Sequence, residues 1–134
     1  MAGYSPNPLA KKLSLKPGQR VWFDGMPDSV RVEIDPDAIG LVLLDAPEPD
    51  MDAAHIFTAD RATLQARVAM LRETIAKHGF VWLSWPKKAS KVPTDITEDL
   101  IRTDILPLGF VDIKVCAVDD VWSGLKLVIR KELR

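Results

Sequence analysis

The chain changes its hydrophobic period several times, and each change marks an element. "RVWF" at residues 20–23 is an apolar run that follows the turn signal "KPG", so a first strand begins there, preceded by a short helix around residues 9–13. "MPDSVRVEIDPD" carries two signals: Pro27 and Asp28 open a helix, whereas Val30, Val32 and Ile34 alternate like a strand. The helix start tips the reading to helix. "IGLVLLD" at residues 39–45 is a nearly unbroken apolar run, the pattern of a strand buried on both faces, and "APEPDMD" after it reads as an exposed loop. "AAHIFTA" at residues 53–59 is a third strand.

Asp60 then stands where a helix cap belongs, and Leu64, Val68, Leu71 and Ile75 recur at spacings of four, three and four, one apolar face for packing on a sheet. "KHG" ends that helix, with Gly79 expected in the left-handed conformation just past it. "FVWLSW" at residues 80–85 is a fourth strand, stopped by Pro86, which has no amide hydrogen for the ladder. Alternation puts Trp82 and Ser84 on one face and Trp85 on the other. In "DITE" Asp95 and Glu98 form a capping-box-like pair; Ile96, Leu100 and Ile101 give the helix its apolar face, and Pro107 with Gly109 ends it. "FVDIKVCAV" and "GLKLVIRKEL" flank "DDVWS" and pair as an antiparallel hairpin with Trp122 in the connection.

The order strand, strand, strand, helix, strand, helix, hairpin predicts a three-layer α/β domain, with a mostly parallel sheet and an antiparallel hairpin at its carboxyl end. A chain of 134 residues suits one such domain, residues 1–134, with a self-sufficient core.

Composition then removes whole classes. With 47% hydrophobic and 28% charged residues the chain is globular rather than disordered. A net charge of -1 gives no electrostatic reason to expect nucleic acid or an anionic membrane as partner. No stretch approaches the ~20 apolar residues of a membrane span, the amino end lacks a signal-like apolar region, and the single Cys116 fits a reducing compartment, so a cytoplasmic location is expected. Cys116, mid-strand, reads as a small apolar residue. His55 and His78 have neither metal-ligand spacing nor partners for a triad, so no metal is expected.

Position picks the remaining candidates, because open α/β sheets bind ligands beyond the carboxyl ends of their parallel strands. Three exits qualify: Asp24 with Gly25, Asp45, and residues 85–90. In the last, Lys87 and Lys88 lead toward a helix start whose free amides favour an anion; the plainer alternative is a solvated lysine pair, with Asp95 using those amides. Trp85 and Trp122 are either core indoles or stacking platforms beside a cleft.

"LKPGQRVWFDGMPDS" and the closing hairpin resemble the class I S-adenosylmethionine-dependent methyltransferase fold, a Rossmann-like sheet. The resemblance implies Gly25 as the first glycine of a cofactor loop and Asp45, 20 residues later, as the acid that takes ribose hydroxyls. The chain departs from the pattern at Phe23, which stands in the place of an acid, and at Pro27 and Ser29, which replace the later glycines. It is also one strand–helix unit short and lacks the amino-terminal cap of the full fold. "GYSPNPLAKKL", "WPKKASKVPTDITEDLIR" and "GFVDIKVCAVDDVWSGLKLVIR" are similar to an uncharacterised bacterial family, the domain of unknown function 3052, which brings no reaction with it.

The eroded glycine loop leads to the expectation of a non-catalytic domain without a cofactor. It would bind an anionic small molecule or a protein partner at the carboxyl edge of the sheet, as a single copy or a homo-oligomer. The alternative is a minimal S-adenosylmethionine-dependent methyltransferase. A third reading has "GYSPNPLAKKL" docking on a partner or a second copy.

Overall fold

The computed structural model describes residues 7–134; Gly3, Tyr4, Ser5 and Pro6 of the proposed docking segment lie outside the described residues. Six strands, β1 (Arg20–Asp24), β2 (Val42–Leu44), β3 (Met51–Phe57), β4 (Ile75–Pro86), β5 (Phe110–Ala117) and β6 (Trp122–Ile129), form one sheet in the order β2-β1-β3-β4-β6-β5. The first four are parallel, and β6 is antiparallel to both of its neighbours. The expected α/β architecture is therefore present. No helix of the described residues is long and apolar enough to cross a membrane.

Helices α1 (Pro8–Lys12), α2 (Asp28–Ile34) and α3 (Pro36–Ile39) cover one face, and α4 (Arg61–Thr74) and α5 (Glu98–Ile105) cover the other. Strand alternation divides the core accordingly. Val81, Leu83 and Trp85 point to α4 and α5, while Phe80 and Trp82 join Leu13, Val30 and Ile34 on the α1 side. Trp82, 1% exposed, donates its indole N–H to the Leu13 carbonyl at 2.9 Å, which pins the end of α1 to the middle of the sheet. Trp82→Phe keeps most of the ring but leaves that buried carbonyl without its donor. The expected loss is about 1–3 kcal/mol, read as a lower denaturant midpoint at unchanged slope.

Several expectations from sequence are corrected. "IGLVLLD" is not a strand buried on both faces. Ile39 ends α3, Gly40 turns the chain, and only residues 42–44 pair, at the sheet edge with Val42 49% exposed. The apolar run marks a covered helix end followed by an edge strand, two environments that composition does not separate. The third strand starts earlier, at Met51, and stops at Phe57.

Helix α4 is capped by Asp60 as expected, its carboxylate accepting from the Thr63 amide at 2.8 Å, but the helix ends at Thr74. "KHG" lies inside β4, and Gly79 is absent from the positive-φ residues. Its missing side chain answers a different need: a Cβ there would sit 2.7 Å from the Asp52 carbonyl oxygen, at the bulge where β3 meets β4.

Asp95 does not cap α5. Thr97 does, accepting from the Leu100 amide at 3.2 Å, while Asp95 accepts from the first amide of α4, Arg61 N, at 2.8 Å. The acid caps the helix that is near it in space rather than the one next in sequence. Trp122 is the first residue of β6, opposite Pro86, and not part of the connection.

Candidate functional site

The order of the sheet sets the geometry of its carboxyl edge. From β1 the chain crosses outward to β2 and then returns to β3 on the other side, so the strand order reverses at β1 and a crevice opens above its neighbours. At the β1 exit Gly25 adopts φ +68, and a Cβ on it would meet the Phe57 carbonyl oxygen at 2.5 Å. Only glycine lets the backbone of this turn lie against the end of β3. Asp45 is the first residue past β2, whose last pair is Trp22↔Leu44; it lies at a bend and is exposed. Asp24 is engaged elsewhere: its carboxylate takes the Arg67 guanidinium of α4 at 2.7 Å.

A groove of about 600 Å³ opens at the β4 exit. Trp85, Pro86, Val92, Pro93 and Ile96 give it apolar walls, and Lys88, Lys91 and Glu98 are the charged residues that line it. Trp85 and Ile96 are nearly covered, whereas Val92 is 41% exposed. The loop after Pro86 is held in place from below. The Thr94 hydroxyl donates to the Ala59 carbonyl at 2.7 Å, and Arg61 forks onto the Asp104 carboxylate of α5 at 3.0 and 2.9 Å. The guanidinium and the Gln65 amide hold the Asp104 carboxyl below its ordinary range against the opposing effect of burial.

The residues singled out from sequence therefore fall into four places. Gly25 and Asp45 share the β1–β2 exit; Trp85 and Lys88 share the groove at the β4 exit. Lys87 is absent from the groove lining, and its backbone amide donates to the Val121 carbonyl at 2.7 Å, tying the loop to the residue just before β6. Trp122 is on the opposite face from Trp85, edge-on to Phe57 with ring centroids 5.2 Å apart. It is structural cover there and does not reach the groove. Cys116 is half-buried, and burial pushes its thiol up despite Lys12 and Lys114 nearby, so it carries no activated thiolate. Among the described residues no group of histidine, cysteine and acidic side chains could hold a metal ion.

Sequence reasoning missed one polar pair. His55 of β3 and Ser84 of β4, 2% and 1% exposed, share a 2.7 Å hydrogen bond between Nε2 and Oγ inside the α1-side core. The imidazole stacks on Phe57 with centroids 4.2 Å apart, and burial pushes its pKa down to about 3, so it is neutral. The available signal was a single polar residue in each of two apolar strands, His55 in "AAHIF" and Ser84 in "WLSW".

No family model matches the chain, which leaves the resemblance to the family of unknown function without that support, and no curated protein matches it in sequence. Solved structures do match in fold. A S-adenosylmethionine-dependent methyltransferase from Aquifex aeolicus superposes with a TM-score of 0.63 at 13% identity, over 92% of this chain and 90% of that one. The magnesium protoporphyrin IX methyltransferase of Synechocystis PCC 6803, solved with bound S-adenosylmethionine, gives 0.59 at 11% identity over 91% and 74%. Fibrillarin from Aeropyrum pernix, with natively bound S-adenosylmethionine, gives 0.55 at 10% identity over 84% and 67%.

The fold is thus methyltransferase-like. The expectation of a non-catalytic domain rested on the eroded glycine loop and on the chain's short length, and these likenesses overturn it; the expectation of no cofactor is left without support, since two of the matching structures hold S-adenosylmethionine. The likeness to the Aquifex protein runs over nearly all of both chains. The side chains present fit the nucleoside half of S-adenosylmethionine: an exposed carboxylate at the β2 exit, and a β1 turn whose glycine leaves backbone uncovered.

Proposed function

We propose that this chain is a S-adenosylmethionine-dependent methyltransferase, with the cofactor at the β1 and β2 exits and the methyl acceptor in the groove beside Trp85. The observation that carries the reading is the sheet order, four parallel strands with an antiparallel β6 between β4 and β5, superposing on solved methyltransferases. The cofactor would supply an electrophilic methyl group on its sulfonium. Asp45 accepts hydrogen bonds from the ribose hydroxyls, and the Gly25 turn lets backbone approach the ligand. Only β3 separates β1 from β4, so the two exits are about 10 Å apart at the usual strand spacing, a span that cofactor and acceptor bridge together. Indole and proline walls suit a flat apolar body, and Lys88 suits an anionic group on it. The acceptor class is therefore a small, partly apolar anion, and the expected location is the cytoplasm.

A melting scan with S-adenosylmethionine, and in parallel with its demethylated product, tests the reading. Ligand at a hundred times its dissociation constant should add ~2.7 kcal/mol, a rise of several degrees for a domain of this size. Asp45→Asn should leave the melting point of the free protein unchanged, because the side chain is exposed, and should remove most of the rise. A flat scan at millimolar ligand overturns the proposal.

A further inference from the structure

The α1-side face carries a group of cations that the methyl-transfer reading does not use. Lys114 of β5 and Lys126 of β6 are directly opposite each other in the antiparallel register. Like charges at facing positions destabilise a sheet, so this pairing works against the fold. Lys12 joins them: its Nζ donates to the Ala117 carbonyl at 3.1 Å, and the Lys114 Nζ donates to the Lys12 carbonyl at 3.3 Å. Lys126 is held rather than free to swing away. Its Nζ donates to the Ser14 hydroxyl at 2.9 Å and lies 4.6 Å from the centroid of the Phe80 ring. Ser14 itself has φ 63, a left-handed backbone that a serine adopts at a cost, and Lys16 follows two residues on. Among the described residues, none of these four lysines forms an ion pair with a carboxylate.

Four lysines carried by α1, the turn after it and a hairpin, none of them ion-paired with a carboxylate among the described residues, suit a multiply charged oxyanion. We propose that this face binds the phosphoryl group of a small phosphorylated ligand, seated between Lys114 and Lys126 with Lys12 and Lys16 at its sides. Lysine binds phosphate as a point charge, and a diphosphate supplies the charge that one carboxylate lacks. A small ligand suits the site better than a nucleic acid, because the chain's net charge of -1 gives no long-range attraction for an extended polyanion.

The test uses pyrophosphate as probe, titrated calorimetrically at fixed ionic strength, with a single-stranded oligonucleotide and sodium chloride as parallel arms. The wild type should bind pyrophosphate saturably, and Lys114→Gln combined with Lys126→Met, which keeps the aliphatic cover on Phe80, should weaken binding about tenfold or more. Lys126→Arg should keep it. In phosphate-free, low-salt buffer Lys114→Gln should melt about 1–4 °C higher than wild type, since the opposed charge is gone. Undiminished binding in the double variant overturns the proposal, as does an oligonucleotide that binds more tightly than pyrophosphate. So does a wild type that answers pyrophosphate no more than chloride. None of these readouts involves methyl transfer, so they stand or fall separately from the cofactor scan.

Discussion

Lowering the pH from 7.5 to 5.0 is expected to reduce the unfolding free energy by about 2 kcal/mol, and His55 is the reason. Burial holds its folded-state pKa at about 3, below the ordinary 6.5 of the unfolded chain. Between those values the unfolded chain binds a proton that the native state does not, so stability is fully present above the unfolded value and falls as pH drops toward the folded one. The slope is about 1.4 kcal/mol per pH unit in that window. Asp60 and Asp104, both held below the ordinary carboxylate range by hydrogen bonds, add losses in the same direction only at lower pH. Denaturant titrations at pH 7.5, 6.0 and 5.0 isolate the histidine. His55→Gln should flatten the dependence; a slope that persists in the variant assigns it to other groups. At 2% exposed the imidazole serves the fold and is no solvent-facing base for the groove.

Gly25→Ala is expected to cost about 2–5 kcal/mol, from two independent sources. The φ of +68 is unfavourable for any side chain, and the new Cβ would sit 2.5 Å from the Phe57 carbonyl oxygen, a backbone atom that cannot turn aside. The loss should appear in the absence of any ligand, as a lower denaturant midpoint. That outcome would make Gly25 first a packing residue, joining the β1 exit to the β3 exit, and a cofactor contact second. A variant as stable as wild type would mean that the turn relaxes away from Phe57. Fluorescence and circular dichroism at equal protein concentration give the same answer by two probes if the transition is two-state.

The two effects show where sequence reading works and where it stops. Alternation and capping are local, and they carried the strands at "RVWF" and "FVWLSW", the Asp60 cap and the closing hairpin into the structure. "IGLVLLD" failed because one apolar run served a helix end and an edge strand, and Gly79 failed because a glycine required by close approach looks in sequence like one required by a turn. Asp95 was legible as a cap, but its helix was not, since the choice between α4 and α5 depends on how the loop folds back.

By itself, then, the sequence determined the α/β class, the two tryptophan-bearing faces of β4 and the strand exits at Gly25, Asp45 and Trp85, because each follows from a period or a breaker within a dozen residues. Only the tertiary structure decided that β2 pairs with β1, so that Gly25 and Asp45 leave neighbouring strands, that Trp122 belongs to the other face, that His55 meets Ser84, and that Lys114 opposes Lys126. Those are matters of register and crossover between segments far apart in the chain, and register is set by the packing of whole strands rather than by any stretch that can be read alone.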